Sequence, residues 1–256
     1  MKMTMKRGPL YYVLPVLSVA LLIVGWIFLA SAKPDLFPTP AATWTRFIEI
    51  LQKPVARVPL YLHILRSLRR VVIALVFACV LGVIFGVMVG WNRTFKATLG
   101  SLFEIIRPIP PIAWIPLITI WYGIGEFPKV LIIFIGTFAI VVTNTYTGVA
   151  MVDPLNLSVG RMFHASRLQL LTDFVIPAAL PAIFAGIRMS IGVGWAIVLA
   201  AEMVGATSGV GFLIFRGNEL RDMPLIFVCM FLIGIIGALL SWAASKLERR
   251  LCPWNE

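Results

Sequence analysis

The residues from Val71 to Gly90 form an unbroken apolar run whose only polar side chain is the thiol of Cys79. A run of about twenty apolar residues is what an α-helix needs to cross about 30 Å of hydrocarbon. Inside that layer no backbone N–H or C=O finds water, so a spanning chain folds either as helices or as a closed barrel. A barrel strand alternates apolar and polar residues over about ten positions, and this run does not alternate. Similar runs recur, giving candidate spans at Tyr11–Ala30, Val71–Trp91, Leu102–Ile124, Val130–Met151, Phe174–Val204 and Leu225–Ala244. The expectation is an all-α, polytopic integral membrane protein of about six transmembrane helices.

Composition agrees: 60% of the residues are hydrophobic, 13% are charged and the mean hydropathy is +0.97, against about 25% charged residues in soluble domains. The net charge of +11 places Lys and Arg mostly at segment ends, where anionic headgroups of membrane lipid attract them, so nucleic acid is not the expected partner. Basic Lys2, Lys6 and Arg7 precede the first apolar run, which reads as a retained helix because it is long and no small-residue cleavage pattern follows. Six spans put both termini on one side. Cationic residues favour a cytoplasmic N-terminus, although Arg66, Arg69 and Arg70, just before the second span, count against it.

Catalytic and metal-site patterns are missing. Cys79, Cys229 and Cys252 are scattered, His63 and His164 are the only histidines, and neither HExxH nor GxSxG occurs. No GxxxxGK[ST] frame exists to hold nucleotide phosphates, so any energy from ATP must enter through a partner. A transport subunit, a channel or an ion-coupled secondary carrier all fit this composition; a membrane enzyme does not.

Within the spans, small residues recur every fourth position: Ala74, Ala78, Gly82, Gly86 and Gly90 in the second, and Ala178, Ala182, Gly186, Ser190 and Gly194 in the fifth. Such ridges let helix backbones approach closely, within the chain or between subunits. Pro108, Pro110, Pro111 and Pro116 predict a kinked third span. Ionisable and polar groups in spans are expensive, which makes Arg188, Glu202 and Asn144 pathway candidates, with Trp195 as packing or gate. Arg188 either attracts an anionic substrate or pairs with a carboxylate or helix C-terminus of a neighbouring span. Glu104 and Arg107, three residues apart, read as a structural pair.

Hydropathy drops between Val152 and Asp173, where short amphipathic helices are expected. Pro177 ends a stretch resembling the cytoplasmic loop of ATP-binding-cassette importer permeases, whose consensus is EAAxxxG, nine residues, then IxLP. On this register Ile176 and Phe174 take the leucine and isoleucine, His164 the glycine, and Ser158, Val159 and Gly160 the EAA triplet, which departs from consensus. Two longer stretches, RPIPPIAWIPLITIWYGIGE from Arg107 and VIPAALPAIFAGIRMSIGVGWAIVLAAEM from Val175, resemble the permeases of the nitrate, sulfonate, taurine and bicarbonate group. ATSGVGFLI from Ala206 and LERRLCPW from Leu247 look most like the taurine branch.

The resemblance implies one permease domain over residues 1–256 with a type I importer fold, and a coupling loop at 153–177. It implies that Arg161, His164 and Arg167 touch a cytoplasmic ATPase, while Leu168 and Leu171 pack inward. ATP and magnesium would bind that ATPase, with no cofactor in this chain. A second copy of the chain and a periplasmic or lipid-anchored binding protein are the other implied partners. The location would be a bacterial inner membrane, with both termini cytoplasmic and taurine or another sulfonate as cargo.

Overall fold

The computed structural model describes residues 9–251, so Lys2, Lys6, Arg7 and the Cys252–Trp254 ending lie outside the described residues. Helices α1 (Pro9–Ala32), α2 (Pro40–Gln52), α3 (Leu60–Trp91), α4 (Arg93–Ile106), α5 (Pro111–Tyr122), α6 (Glu126–Ala150), α7 (Pro154–Met162), α8 (Arg167–Met203), α9 (Val210–Glu219) and α10 (Met223–Leu251) follow in order, and no strand forms among the described residues. Among the described residues five helices are long and apolar enough to span, and α4 with α5 brings the number to six if this bent pair is one span.

The helix boundaries follow from local chemistry. Thr39 caps α2 by accepting the Ala42 N–H at 3.2 Å, and Pro40 sits in the first turn, where its missing N–H is no loss. Asn92 Oδ1 caps α4 by accepting from Thr94 and Phe95. The proline cluster predicts a kink, and the outcome is larger: α4 and α5 are bent by 86°. Pro108 and Pro110 fall in the break, Pro111 opens a 3₁₀ turn and Pro116 lies in the first turn of the helical part that follows. None of the four removes an interior helical hydrogen bond, because each sits where the helix has already stopped or is just starting. Gly123, at φ +75°, ends α5 in a backbone region that side chains disfavour.

One compact unit comprises residues 1–60 and 213–231. There Trp26 stacks on Phe227 at 5.8 Å and donates its Nε1 proton to the Pro38 carbonyl at 2.9 Å. Arg46 of α2 bridges to Asp222 at 2.7 Å.

The second unit comprises residues 61–212 and 232–256, and its centre is α6. Both small-residue ridges close on this helix, from opposite sequence neighbours. On α3, a methyl at Gly86 would come within 2.6 Å of Thr145 Cβ, and Gly82 and Gly90 face Val141 and Val149. On α8, Gly186 faces Asn144, Gly194 faces Thr137, and Ala182 fills the space beside Gly148 of α6. The ridges therefore serve packing within the chain, which replaces a missing hydrophobic drive in lipid by close van der Waals contact.

Candidate functional site

At one end of the second unit, α3 begins well before the apolar run that marks it in sequence, taking Arg66, Arg69 and Arg70 into its first turns. A helix tolerates Arg70 there, although its side chain is only 1% exposed, because each guanidinium nitrogen has a partner. Nη1 donates to Glu202 Oε1 at 2.5 Å and to the Ser208 carbonyl at 2.9 Å, while Nε and Nη2 donate to Glu126 at 2.8 and 2.6 Å. Lys129 lies 3.9 Å from Glu126 and donates to the Gly125 carbonyl.

The same network starts α9. The first amides of a helix have no intrahelical acceptor, and here α3 and α8 supply them. Gly209 N–H donates to His63 Nδ1 at 3.0 Å, Val210 N–H to Ser67 Oγ at 3.0 Å and Gly211 N–H to Glu202 Oε2 at 2.9 Å. A carboxylate at a helix N-terminus also meets the positive end of its dipole. Gly209 has φ +125°, and a side chain there would collide with the Glu202 carboxylate. Glu202, a pathway candidate by sequence, is thus the closed centre of a structural lock. Sequence reading missed Arg70, Ser67 and His63 as its partners, although an arginine ahead of an apolar run was a visible signal.

The other pathway candidates separate. Arg188 donates to Glu248 of α10 at 2.7 Å, so the carboxylate-pair alternative describes its geometry. Trp195 is buried and donates Nε1–H to the Ile233 carbonyl at 3.1 Å, which is packing. Asn144 instead lines a cavity of about 700 Å³ bounded by α3, α4, α5, α6 and α8. Its wall is almost wholly apolar, with Phe85, Phe103, Trp114, Phe138 and Val193 among the lining residues. The polar exceptions are Arg107, at the break after α4, and Thr143 and Asn144 on α6. Arg107 also makes the expected pair with Glu104, at 3.0 Å.

The segment 153–177 is helical for most of its length. Asp153 caps α7 by accepting the Leu155 N–H at 2.8 Å, and Ser166 with Gln169 forms a capping box at the start of α8. Ser158, Val159, Gly160 and Arg161 lie on α7. Gly160 is the contact point: a methyl there would strike Leu170, with the Phe174 ring at 3.1 Å. His164, set against the consensus glycine, has φ +56°, a region glycine enters without cost and few other residues visit. Leu171 packs against the cluster of Val149, Val175, Ala179 and Ile183. Leu168 needs correction, since it is 69% exposed rather than turned inward. Residues 170–175 wind as a π-helical turn that ends before Pro177, and with fewer degrees per residue positions three apart no longer share a face. Buried Leu170 takes the inward place.

Ridge-packed helices long enough to span, one pair of them sharply bent, around an apolar cavity, with a short amphipathic helix between two of them, define a multi-pass membrane protein. The chain belongs to the family of binding-protein-dependent transport system inner membrane components, whose model matches residues 78–252. It is 33% identical over 242 residues to the taurine transport system permease protein TauC of Escherichia coli (strain K12), covering 93% of this chain and 88% of that protein. It is 29% identical to the nitrate import permease protein NrtB of Synechocystis sp., covering 97% and 94%. In fold it resembles the MetNI methionine ABC transporter in its inward facing conformations, with a TM-score of 0.67 at 18% identity over 75% of this chain and 95% of that one. The chain is therefore an ABC importer permease, a transport component rather than the ATP-binding subunit.

Proposed function

We propose that two copies of this chain form the translocation pathway of an ATP-driven importer for a small anion or zwitterion, taurine or another sulfonate in first place and nitrate or bicarbonate in second. The observation that carries the proposal is the 33% identity to a taurine permease across 93% of the chain. The similarity to a nitrate permease keeps the second reading open. In this reading the protein sits in a bacterial inner membrane with both termini cytoplasmic.

The segment 153–177 is the coupling element. Arg161, His164 and Arg167 meet a groove on a cytoplasmic ATPase that binds ATP and magnesium, and closure of that ATPase moves α7 as a rigid body. The contact of Gly160 with Leu170 and Phe174 supports this use, because it ties α7 to the base of α8. A periplasmic or lipid-anchored binding protein selects the cargo and delivers it to the outer face, including residues 205–224 and the loop after α1. The test is ligand binding by the cognate binding protein across taurine, alkanesulfonates, nitrate and bicarbonate, followed by uptake into proteoliposomes holding the whole assembly. Sulfonate binding and ATP-dependent sulfonate uptake are expected. Binding of a cation or sugar with no anion bound, or uptake without ATP, refutes the reading.

A further inference from the structure

Arg188, Glu202 and Trp195 do not line the large cavity of the second unit, and its polar lining comes from residues that read as structural or ambiguous in sequence. We infer that Arg107, assisted by Thr143 and Asn144, is the charge-selecting group of the translocation pathway and takes the sulfonate or other oxyanion head of the cargo. The inference rests on the importer reading above and deepens it.

Four observations carry it. The cavity is about 700 Å³, ample for a small organic anion, and Arg107 is its cationic lining residue. Arg107 sits directly after α4, at the break between helices bent by 86°, and lines this cavity beside Thr143 of α6. An arginine fork matches two oxygens of a sulfonate or carboxylate at once. Finally, it is restrained but not saturated: Glu104 holds it at 3.0 Å, Thr143 Oγ1 accepts from Nη1 only at 3.4 Å, and its side chain is 39% exposed. Asn144, next to Thr143, donates one amide proton to the Ile140 carbonyl at 2.9 Å and has a second proton for a ligand oxygen.

The Glu104 partner belongs to the argument. A bare guanidinium in an apolar cavity would hold an anion too tightly to release it, and conduction needs a site that cargo both enters and leaves. A carboxylate on the same helix turn weakens the field while keeping the guanidinium in place. Cargo therefore exchanges with Glu104 for part of the guanidinium fork.

The test reads charge selectivity directly, in the full transporter with its ATPase and binding protein. Cys79, Cys229 and Cys252 are first replaced, and Val193, which lines the cavity, is changed to Cys. Its thiolate is then offered an anionic reagent, 2-sulfonatoethyl methanethiosulfonate, or a cationic one, 2-(trimethylammonium)ethyl methanethiosulfonate. In each case a disulfide forms and methanesulfinate leaves. Arg107→Gln should lower the ratio of anionic to cationic rates by about tenfold, an electrostatic effect of the size expected at an effective dielectric of ~20. Arg107→Lys should keep much of the ratio, Glu104→Gln should raise it, and Arg188→Gln should leave it unchanged. Uptake by Arg107→Gln should show a lower maximal rate at an unchanged half-saturating concentration, since the binding protein sets the latter. An unchanged ratio in Arg107→Gln, a thiol inert to both reagents, or an equal fall in Arg188→Gln overturns the assignment. Absence of anion uptake by the wild-type assembly would instead refute the importer reading, and the reagent ratio is measured independently of it.

Discussion

Arg70 and Glu202 allow a double-mutant cycle whose outcome the geometry dictates. Their side chains are 1% and 0% exposed, so removing Arg70 strands the Glu202 carboxylate away from water, while removing Glu202 leaves Arg70 its pair with Glu126. For Glu202→Leu the guanidinium keeps Glu126 and the Ser208 carbonyl, but the Gly211 amide loses its acceptor and the Ser67 hydroxyl keeps only the His63 carbonyl at 3.3 Å. Because Arg70 stays paired with Glu126, the cost of this variant is chiefly the stranded buried amide, about 1–3 kcal/mol. Arg70→Leu leaves Glu202 with neutral donors only, a cost of about 3–5 kcal/mol. The double variant carries no buried unpaired charge at this point, and its cost falls towards the stranded amide alone, about 1–3 kcal/mol. The singles should therefore sum to several kcal/mol more than the double. Reversible unfolding in mixed detergent micelles, followed by helical circular dichroism, measures all four corners. Additivity within about 0.5 kcal/mol would mean that the two residues do not depend on one another, and the lock would be refuted.

Gly86→Ala places a methyl 2.6 Å from Thr145 Cβ and 2.9 Å from the Val142 carbonyl; overpacking of about 1–3 kcal/mol should appear as a lowered midpoint in the same unfolding assay. Arg46→Ala breaks bridges to Glu49 and Asp222 from a side chain 29% exposed, so its cost should stay within about 1 kcal/mol, because solvent screens such pairs. Arg161→Glu and Arg167→Glu should each reduce recovery of the ATPase with the purified permease and slow ATP-driven uptake, with helix content unchanged by circular dichroism; full recovery and uptake in both would remove them from the coupling surface.

The apolar runs made the helices legible, since twenty uninterrupted apolar residues have few other solutions in a bilayer. Helix ends were less so. The start of α3 escapes a hydropathy reading because Arg66, Arg69 and Arg70 look like loop residues until Glu202, 132 positions from Arg70, closes on the last of them. The ridges at Gly82, Gly86 and Gly90 announced close packing, but only the fold shows that α6 receives them together with the ridge of α8. Leu168 failed for a local reason: a wheel drawn at α-helical period misplaces residues next to a π turn.

Pathway residues were the hardest to read, and the reason is physical. An intramembrane charge draws attention by its cost, yet that same cost drives it to find a partner, so the charges most conspicuous in the spans are those most apt to be tied up. Glu202 is the extreme case, accepting from Ser67, Arg70 and Gly211 with no exposed surface. Arg188 is held by a carboxylate from a distant helix. Arg107 drew less attention because Glu104, one turn away, already explained it. A pair within one helix turn differs from a pair between helices, however: it holds no second element in place, so loosening it leaves the packing intact. A group able to trade its partner for cargo during each passage must be of that kind, and its position in a span break beside the cavity gives Arg107 the space to do so.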